Sequence, residues 1–268
     1  MSADLPDTPQ LENALLAVDG HVATITLNRP DQRNPLSAGM LSDLTAALQW
    51  CKEEREVRVI VVTGAGDRAF CSGADLASFE AGASAQDAHQ ARRAFVELFL
   101  LMAGLGKPIV GRINGHALAG GLGLAGCCDL LVAVDTATFA TPEINVGVWP
   151  MMISAVLARN LPRKLLLEMM MLGERWTAIQ MQSVGFVNRV VSRDQLDATV
   201  AEMTDKLAKK SPAVMRIGRD SFYRQQDMEF GPALEYLHGE LLKVAQTEDS
   251  KEGVLAFFEK REPKFTGN

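Results

Sequence analysis

Apolar positions in the first half of the chain switch repeatedly between a period of two and a period near 3.6, and each switch marks an element. Leu15–Val18 and His21–Leu27 are short apolar or alternating runs on either side of Asp19-Gly20, a pair that predicts a hairpin turn. Ser37 occupies the place of a helix N-cap, and Met40, Leu41, Leu44, Leu48 and Cys51 then recur at helical spacing. Val57–Val62 is a continuous apolar run ending at Thr63-Gly64, as expected of a buried strand. Asp87 opens a second helical pattern, with Ala91, Phe95, Leu98, Phe99 and Met102 on one face. Further strands are expected at Ile109–Ile113 and Leu130–Val134. The recurring order strand, helix, strand predicts an α/β core with parallel pairing.

Beyond Pro150 the pattern becomes helical. Segments 151–160, 163–172, 177–183, 193–210, 212–227, 231–246 and 248–260 read as helices, and only Phe186–Val191 reads as a strand. Leu234, Leu237, Leu241, Leu242, Val244 and Ala245 crowd apolar surface onto one C-terminal helix. That surface needs either the core or a partner subunit to cover it.

Composition narrows the class without naming a function. The 268 residues are 47% hydrophobic and 22% charged, which describes an ordinary soluble protein with one main domain and a C-terminal appendage. A net charge of -6 gives no electrostatic footprint for nucleic acid. Cys51, Cys71, Cys127 and Cys128 form no C-x-x-C pair and are read as buried thiols of a reducing compartment. The polar, acidic start MSADLPDTPQLENA lacks the pattern of a signal peptide, and no apolar run reaches the roughly 20 residues of a membrane span. A cytoplasmic location is the default expectation. His21, His89, His116 and His238 lack metal-ligand spacing, so no metal site is expected, and His116 is read as structural.

Candidate chemistry lies in the run Asn114–Gly126, NGHALAGGLGLAG, which follows an apolar strand. Glycines at 120, 121 and 123 remove the side chains that keep a ligand off the backbone. Gly121–Gly126 formally matches G-x-G-x-x-G. A dinucleotide fold, however, needs a full crossover helix before the next strand, and the residues before Leu130 are too few to supply one. Asp135 also comes too early for the acidic partner of that motif, and no phosphate-cradling P-loop occurs anywhere. A second turn, Phe70–Leu76, offers amides near Ala74. Either turn alone reads as a tight turn. Together, two strand-end turns suit one oxygen held from two sides, as an acyl oxyanion requires.

The motifs AFCSGADL, INGHALAGGLGLAGCCDLLVA and FATPEINVGVWP, the opening VATITLNRPDQRNPLS and the ending AFFEKREPKFTG resemble the crotonase, or enoyl-CoA hydratase/isomerase, family over nearly the whole chain. The resemblance implies an α/β spiral of strand-strand-helix units over 1–200 and a C-terminal helical region over 201–268 used for assembly into trimers or dimers of trimers. It implies that Ala74 and Gly120 supply the two amides for a thioester oxygen. Ser72, Asp75 and Leu76 would then lie along coenzyme A, with Phe257 and Lys260 near its nucleotide and Arg33 a further phosphate candidate. No cofactor is implied beyond the coenzyme A of the substrate. Glu143 takes the position of the catalytic acid/base, and Ile144, Val146 and Val148 are expected to form an apolar setting that raises its pKa. Trp149, Met151 and Met152 are expected to line the acyl pocket.

The chain departs from the hydratase pattern in two places. The second glutamate of that pattern, three residues after the oxyanion-hole glycine, is here Gly123. The glycine-rich stretch after the family's proline is here Met151-Met152-Ile153. One carboxylate suffices for a 1,3-proton shift, so the sequence favours isomerisation of a 3-enoyl to a 2-enoyl thioester. A hydratase using Glu143 alone, or with Asp75, Glu80 or a residue from another loop, is the alternative. A non-catalytic acyl-CoA binder is a second one.

Overall fold

The computed structural model describes residues 8–74 and 85–268, and only the helical backbone for 85–91. The side chains of Asp87 and Ala91, and all of Asp75, Leu76 and Glu80, lie outside the described residues. The chain opens with the predicted hairpin: β1 (Ala14–Asp19) and β2 (Val22–Leu27) pair antiparallel around Asp19-Gly20. Helix α1 (Ala38–Glu53) follows, its first turn capped by the Ser37 hydroxyl accepting from the Met40 amide at 3.2 Å. Strand β3 (Val59–Gly64), β4 (Ala69–Cys71) and α2 (Ala85–Ala103) form one strand-strand-helix unit. The next is β5 (Ile109–Ile113), β6 (His116–Leu118) and α3 (Gly120–Gly126). Strands β7 (Leu130–Val134) and β8 (Thr138–Ala140) lead through a 3-10 turn, Pro142–Val146, into α4 (Met151–Leu157) and α5 (Arg163–Leu172). The chain closes with β9 (Trp176–Thr177), α6 (Ala178–Ser183), β10 (Arg189–Val191), α7 (Arg193–Ala208), α8 (Pro212–Gln225), α9 (Phe230–Gln246) and α10 (Glu248–Glu259).

Each unit sends its first strand to one sheet and its second to another. The six-stranded sheet has the order β1-β2-β3-β5-β7-β10, parallel from β2 onward. The four-stranded sheet has the order β4-β6-β8-β9, with β4, β6 and β8 parallel and β9 antiparallel. Two buried asparagines satisfy the backbone where the sheets part. Asn34 donates to the Ala65 and Ala69 carbonyls, and Asn114 accepts from the Gly64 amide while donating to the Gly66 carbonyl. Without them the turn after β3 would bury unpaired polar groups.

Four strands escaped the sequence pattern. β4, β6, β8 and β9 span three residues or fewer, too short to display an alternation. The strand expected over Phe186–Val191 is confined to its last residues, because Phe186 and Val187 close the turn after α6 by bonding to the Met181 carbonyl.

Helix α7 contributes Leu196, Val200 and Met203 to the main core, so the expected boundary after residue 200 falls inside a core helix. Helix α8 is fastened by a buried ion pair. Asp129, at the start of β7, accepts from Arg219 at 2.8 Å, Tyr223 at 2.7 Å and the Ile109 amide at 2.7 Å, while Arg219 also donates to the Met102 and Ala103 carbonyls. Beyond α8 the apolar surface is largely uncovered: Phe230, Leu234, Leu241, Phe257 and Phe258 are all exposed in the protomer. Among the described residues no helix is long and apolar enough to cross a membrane.

Candidate active site

The C-terminal ends of β4, β6 and β8 lie side by side, since the pairs Cys71↔Ala117 and Leu118↔Ala140 hold the three parallel strands in register. Each strand end runs directly into one predicted segment: β4 into Ser72-Gly73-Ala74, β6 into Ala119-Gly120, and β8 into Thr141-Pro142-Glu143. The carboxyl ends of parallel strands are the usual place for a site in α/β folds.

The first two turns interlock. Gly73 has φ +100°, and a Cβ there would stand 2.6 Å from the Ala119 Cβ and 3.1 Å from the Gly120 nitrogen. A Cβ on Gly120 would stand 3.4 Å from the Ala74 nitrogen and 3.3 Å from the Phe95 ring. The amides of Ala74 and Gly120 are thereby brought together, and among the described residues neither has a hydrogen-bond partner. Ala119 itself is held at φ 51°, ψ −127°, a region rarely occupied by a residue with a side chain, and its amide is anchored to the Ala140 carbonyl at 2.9 Å. The N-terminal loop braces the other turn: Ser72 donates its amide to the Arg33 carbonyl at 3.0 Å, and Leu36 donates to the Gly73 carbonyl at 2.8 Å.

Glu143 sits in the 3-10 turn whose first residue, Pro142, fixes the approach from β8. Its Oε2 is buried and, among the described residues, has no hydrogen-bond partner. Burial raises its pKa above the ordinary carboxylate value, opposed by a backbone hydrogen bond. The expected cause needs correction. Ile144, Val146 and Val148 are exposed, so they do not form the apolar enclosure expected around Glu143 within the protomer.

The three acyl-pocket candidates separate. Trp149 and Met152 pack partly buried against the core, and Met152 lines an apolar cleft of about 1400 Å³ between α2, α4, α8 and α10 together with Phe99. Met151 is 70% exposed and does not line that cleft. Of the coenzyme A candidates, Arg33 and Ser72 share a smaller polar pocket of about 440 Å³ with Arg68, Arg175, His116 and Thr136. Sequence reasoning missed Arg68 and Arg175, because only the packing of β4 and β9 on one sheet brings them to Arg33. His116 bonds to the Thr138 hydroxyl at 2.9 Å, and burial together with Arg175 and Arg33 lowers its pKa. Phe257 lines the larger cleft instead, and Lys260 ends α10 with φ 56°. Cys71 is fully enclosed and its thiol is pushed up to about 12 by burial, which removes it as a nucleophile.

Comparison with known proteins places these features in context. The sequence model of the family described as Enoyl-CoA hydratase/isomerase matches residues 18–268. The chain is 32% identical to the mitochondrial enoyl-CoA hydratase domain-containing protein 3 of Rattus norvegicus, over 96% of this chain and 86% of that protein. It is also 32% identical to the carnitinyl-CoA dehydratase of Proteus mirabilis (strain HI4320), over 94% of this chain and 97% of that protein. The crystal structure of an enoyl-CoA hydratase from Mycobacterium smegmatis superposes with a TM-score of 0.91 at 34% identity, covering 95% of this chain and 99% of that one.

Proposed function

Because the chain belongs to the enoyl-CoA hydratase/isomerase family, we propose that its site moves a proton along an enoyl-CoA thioester, converting a 3-enoyl into the conjugated 2-enoyl form. The observation that carries this reading is the meeting of two amides, Ala74 and Gly120, that have no hydrogen-bond partner among the described residues, at the edge where the half-buried Glu143 also emerges. The thioester oxygen accepts from both amides. Glu143 removes a proton from C2, the charge spreads into a dienolate resting on the two donors, and the same carboxyl group returns a proton to C4. The carboxylate ends as it began, so a single acid/base closes the cycle. Each fixed donor contributes on the order of 3–4 kcal/mol to such a transition state, and a positioned acid/base contributes about 10²–10⁴ in rate. The raised pKa of Glu143 suits it to both halves of the transfer.

The cationic pocket of Arg33, Arg68 and Arg175 beside Ser72 is the seat of the coenzyme A phosphates in this reading. The resemblance adds Asp75 and Leu76, which lie outside the described residues, as further contacts to coenzyme A. The exposed apolar residues of α9 and α10 form the contact of a homotrimer or dimer of trimers, which carries Phe257 and Lys260 to a neighbouring subunit's nucleotide. The names of the relatives, one a hydratase domain-containing protein and one a dehydratase, favour a second reading, water addition to a 2-enoyl thioester, with Glu143 acting alone or with Asp75, Glu80 or a residue from another loop.

Supplying 3-enoyl-CoA and 2-enoyl-CoA separately distinguishes the two. We expect turnover of the 3-enoyl substrate and little hydration of the 2-enoyl one, with Glu143→Ala reducing the former at least a hundredfold. Unchanged isomerisation in that variant overturns the assignment of Glu143, and dominant hydration by the wild type selects the second reading. Tight binding of both thioesters with no turnover of either makes the chain a binder.

A further inference from the structure

We infer that Ile153 is a specificity-determining plug, which fills the space beside Gly123 and keeps a second acid/base and its water out of the wall behind the Gly120 amide. The inference rests on the proton-transfer reading above and adds what restricts the site to it.

Gly123 lies one helical turn beyond Gly120 on α3, and every residue of that helix is buried. A Cβ on Gly123 would overlap the Ile153 Cγ2, standing 2.9 Å from the Ile153 Cβ and 3.2 Å from the Phe99 Cζ. Ile153 comes from α4, is itself buried, and its β-branched side chain is stiff at χ1, so it cannot swing aside cheaply. Phe99 and Phe95 close the same wall from α2, one ring against Gly123 and the other against Gly120, with their centroids 6.3 Å apart in an edge-to-face arrangement. The face of α3 behind the amide is therefore packed with isoleucine and two phenylalanines. Even an alanine at 123 conflicts with Ile153. The two departures from the hydratase pattern, a lost carboxylate at 123 and bulk after Pro150, are thus one complementary replacement: the smaller residue makes the room that the larger one fills.

Chemistry follows from this packing. Water addition places a hydroxyl on C3 and a proton on C2 and gains from a second group that orients the water. A wall of isoleucine and phenylalanine side chains offers neither an anchor for that water nor a place for the group. A 1,3-proton shift needs no water in the site at all.

The test is a pair of substitutions made singly and together, Gly123→Glu and Ile153→Gly, followed with both thioesters and with thermal melting. Gly123→Glu alone is expected to lower the melting temperature by several degrees or to prevent folding. The double variant is expected to melt higher than Gly123→Glu and to hydrate 2-enoyl-CoA at least tenfold faster than the wild type. Gly123→Ala in the wild-type and Ile153→Gly backgrounds reads the same contact by stability alone: destabilising in the first, close to neutral in the second. Additive effects of these two changes overturn the plug. So does a double variant that folds and isomerises through Glu143 but hydrates no faster than the wild type. Failure of the underlying proton-transfer reading is seen separately, as isomerisation that survives Glu143→Ala.

Discussion

The two sheets of this protein divide its labour. Strand β3 of the long sheet is buried along its whole length and pairs in continuous register with β2 and β5. The strands of the short sheet hold two or three residues each, its β4–β6 pairing is irregular, and its ends carry the φ +100° glycine and the φ 51° alanine. Regular backbone satisfies its own hydrogen bonds and leaves nothing for a substrate. Irregular strand ends leave amides unpaired, and a rigid neighbour must hold them in place. The long sheet supplies that rigidity, and the buried Asn34 and Asn114 transmit it to the short one.

Four substitutions break or sharpen this division. The largest effect is expected from Asp129→Ala, which leaves the buried Arg219 charge without its carboxylate where the long sheet meets α8. A loss of about 3–5 kcal/mol in unfolding free energy is expected, with proteolysis revealing whether α8–α10 detach first. Next comes Gly73→Ala in the short sheet. Its Cβ collides with Ala119 and displaces one donor, so kcat should fall about 10²–10³ by steady-state kinetics while secondary structure measured by circular dichroism persists. Ile60→Val in the buried strand β3 should do the reverse, lowering stability by about 0.5–1.5 kcal/mol in a denaturant titration and leaving kcat unchanged.

The smallest effect concerns pH. Burial raises the native pKa of Glu143 above its unfolded value near 4.5, so its contribution to stability is fully present below that value and is lost as pH rises through the native pKa. Glu143→Gln should therefore leave the melting temperature unchanged below about pH 4.5 and raise it slightly near neutrality, as read in melts across that pH range. The gain is small because the side chain keeps part of its solvent contact. Activity of the wild type should decline as pH falls through the same native pKa, where the carboxylate is lost as a base.

What could be read from the chain followed the same division. The hairpin, α1, the long parallel strands and most helices of the second half show their periods openly, because each is long enough to face a core on one side. Glu143, Gly120 and Ala74 were reached through motifs, and the structure brings their strand ends to one edge. Arg68 and Arg175 had no local signal, being ordinary arginines until β4 and β9 join one sheet. The exposure of Ile144, Val146 and Val148, against expectation, reflects a 3-10 turn at the protomer surface, where an apolar sequence need not mean an apolar environment.

By itself the sequence determined the α/β architecture, the family, and the residue types available for chemistry, because periodicity and motif spacing are local properties that survive without coordinates. Only the tertiary structure decided that two glycine-lined turns distant in sequence bring the Ala74 and Gly120 amides close together, and that Ile153 fills the space left open by Gly123. Such contacts depend on the close approach of separate segments to within a few tenths of an ångström. No pattern along the chain encodes that, and packing in three dimensions alone sets it.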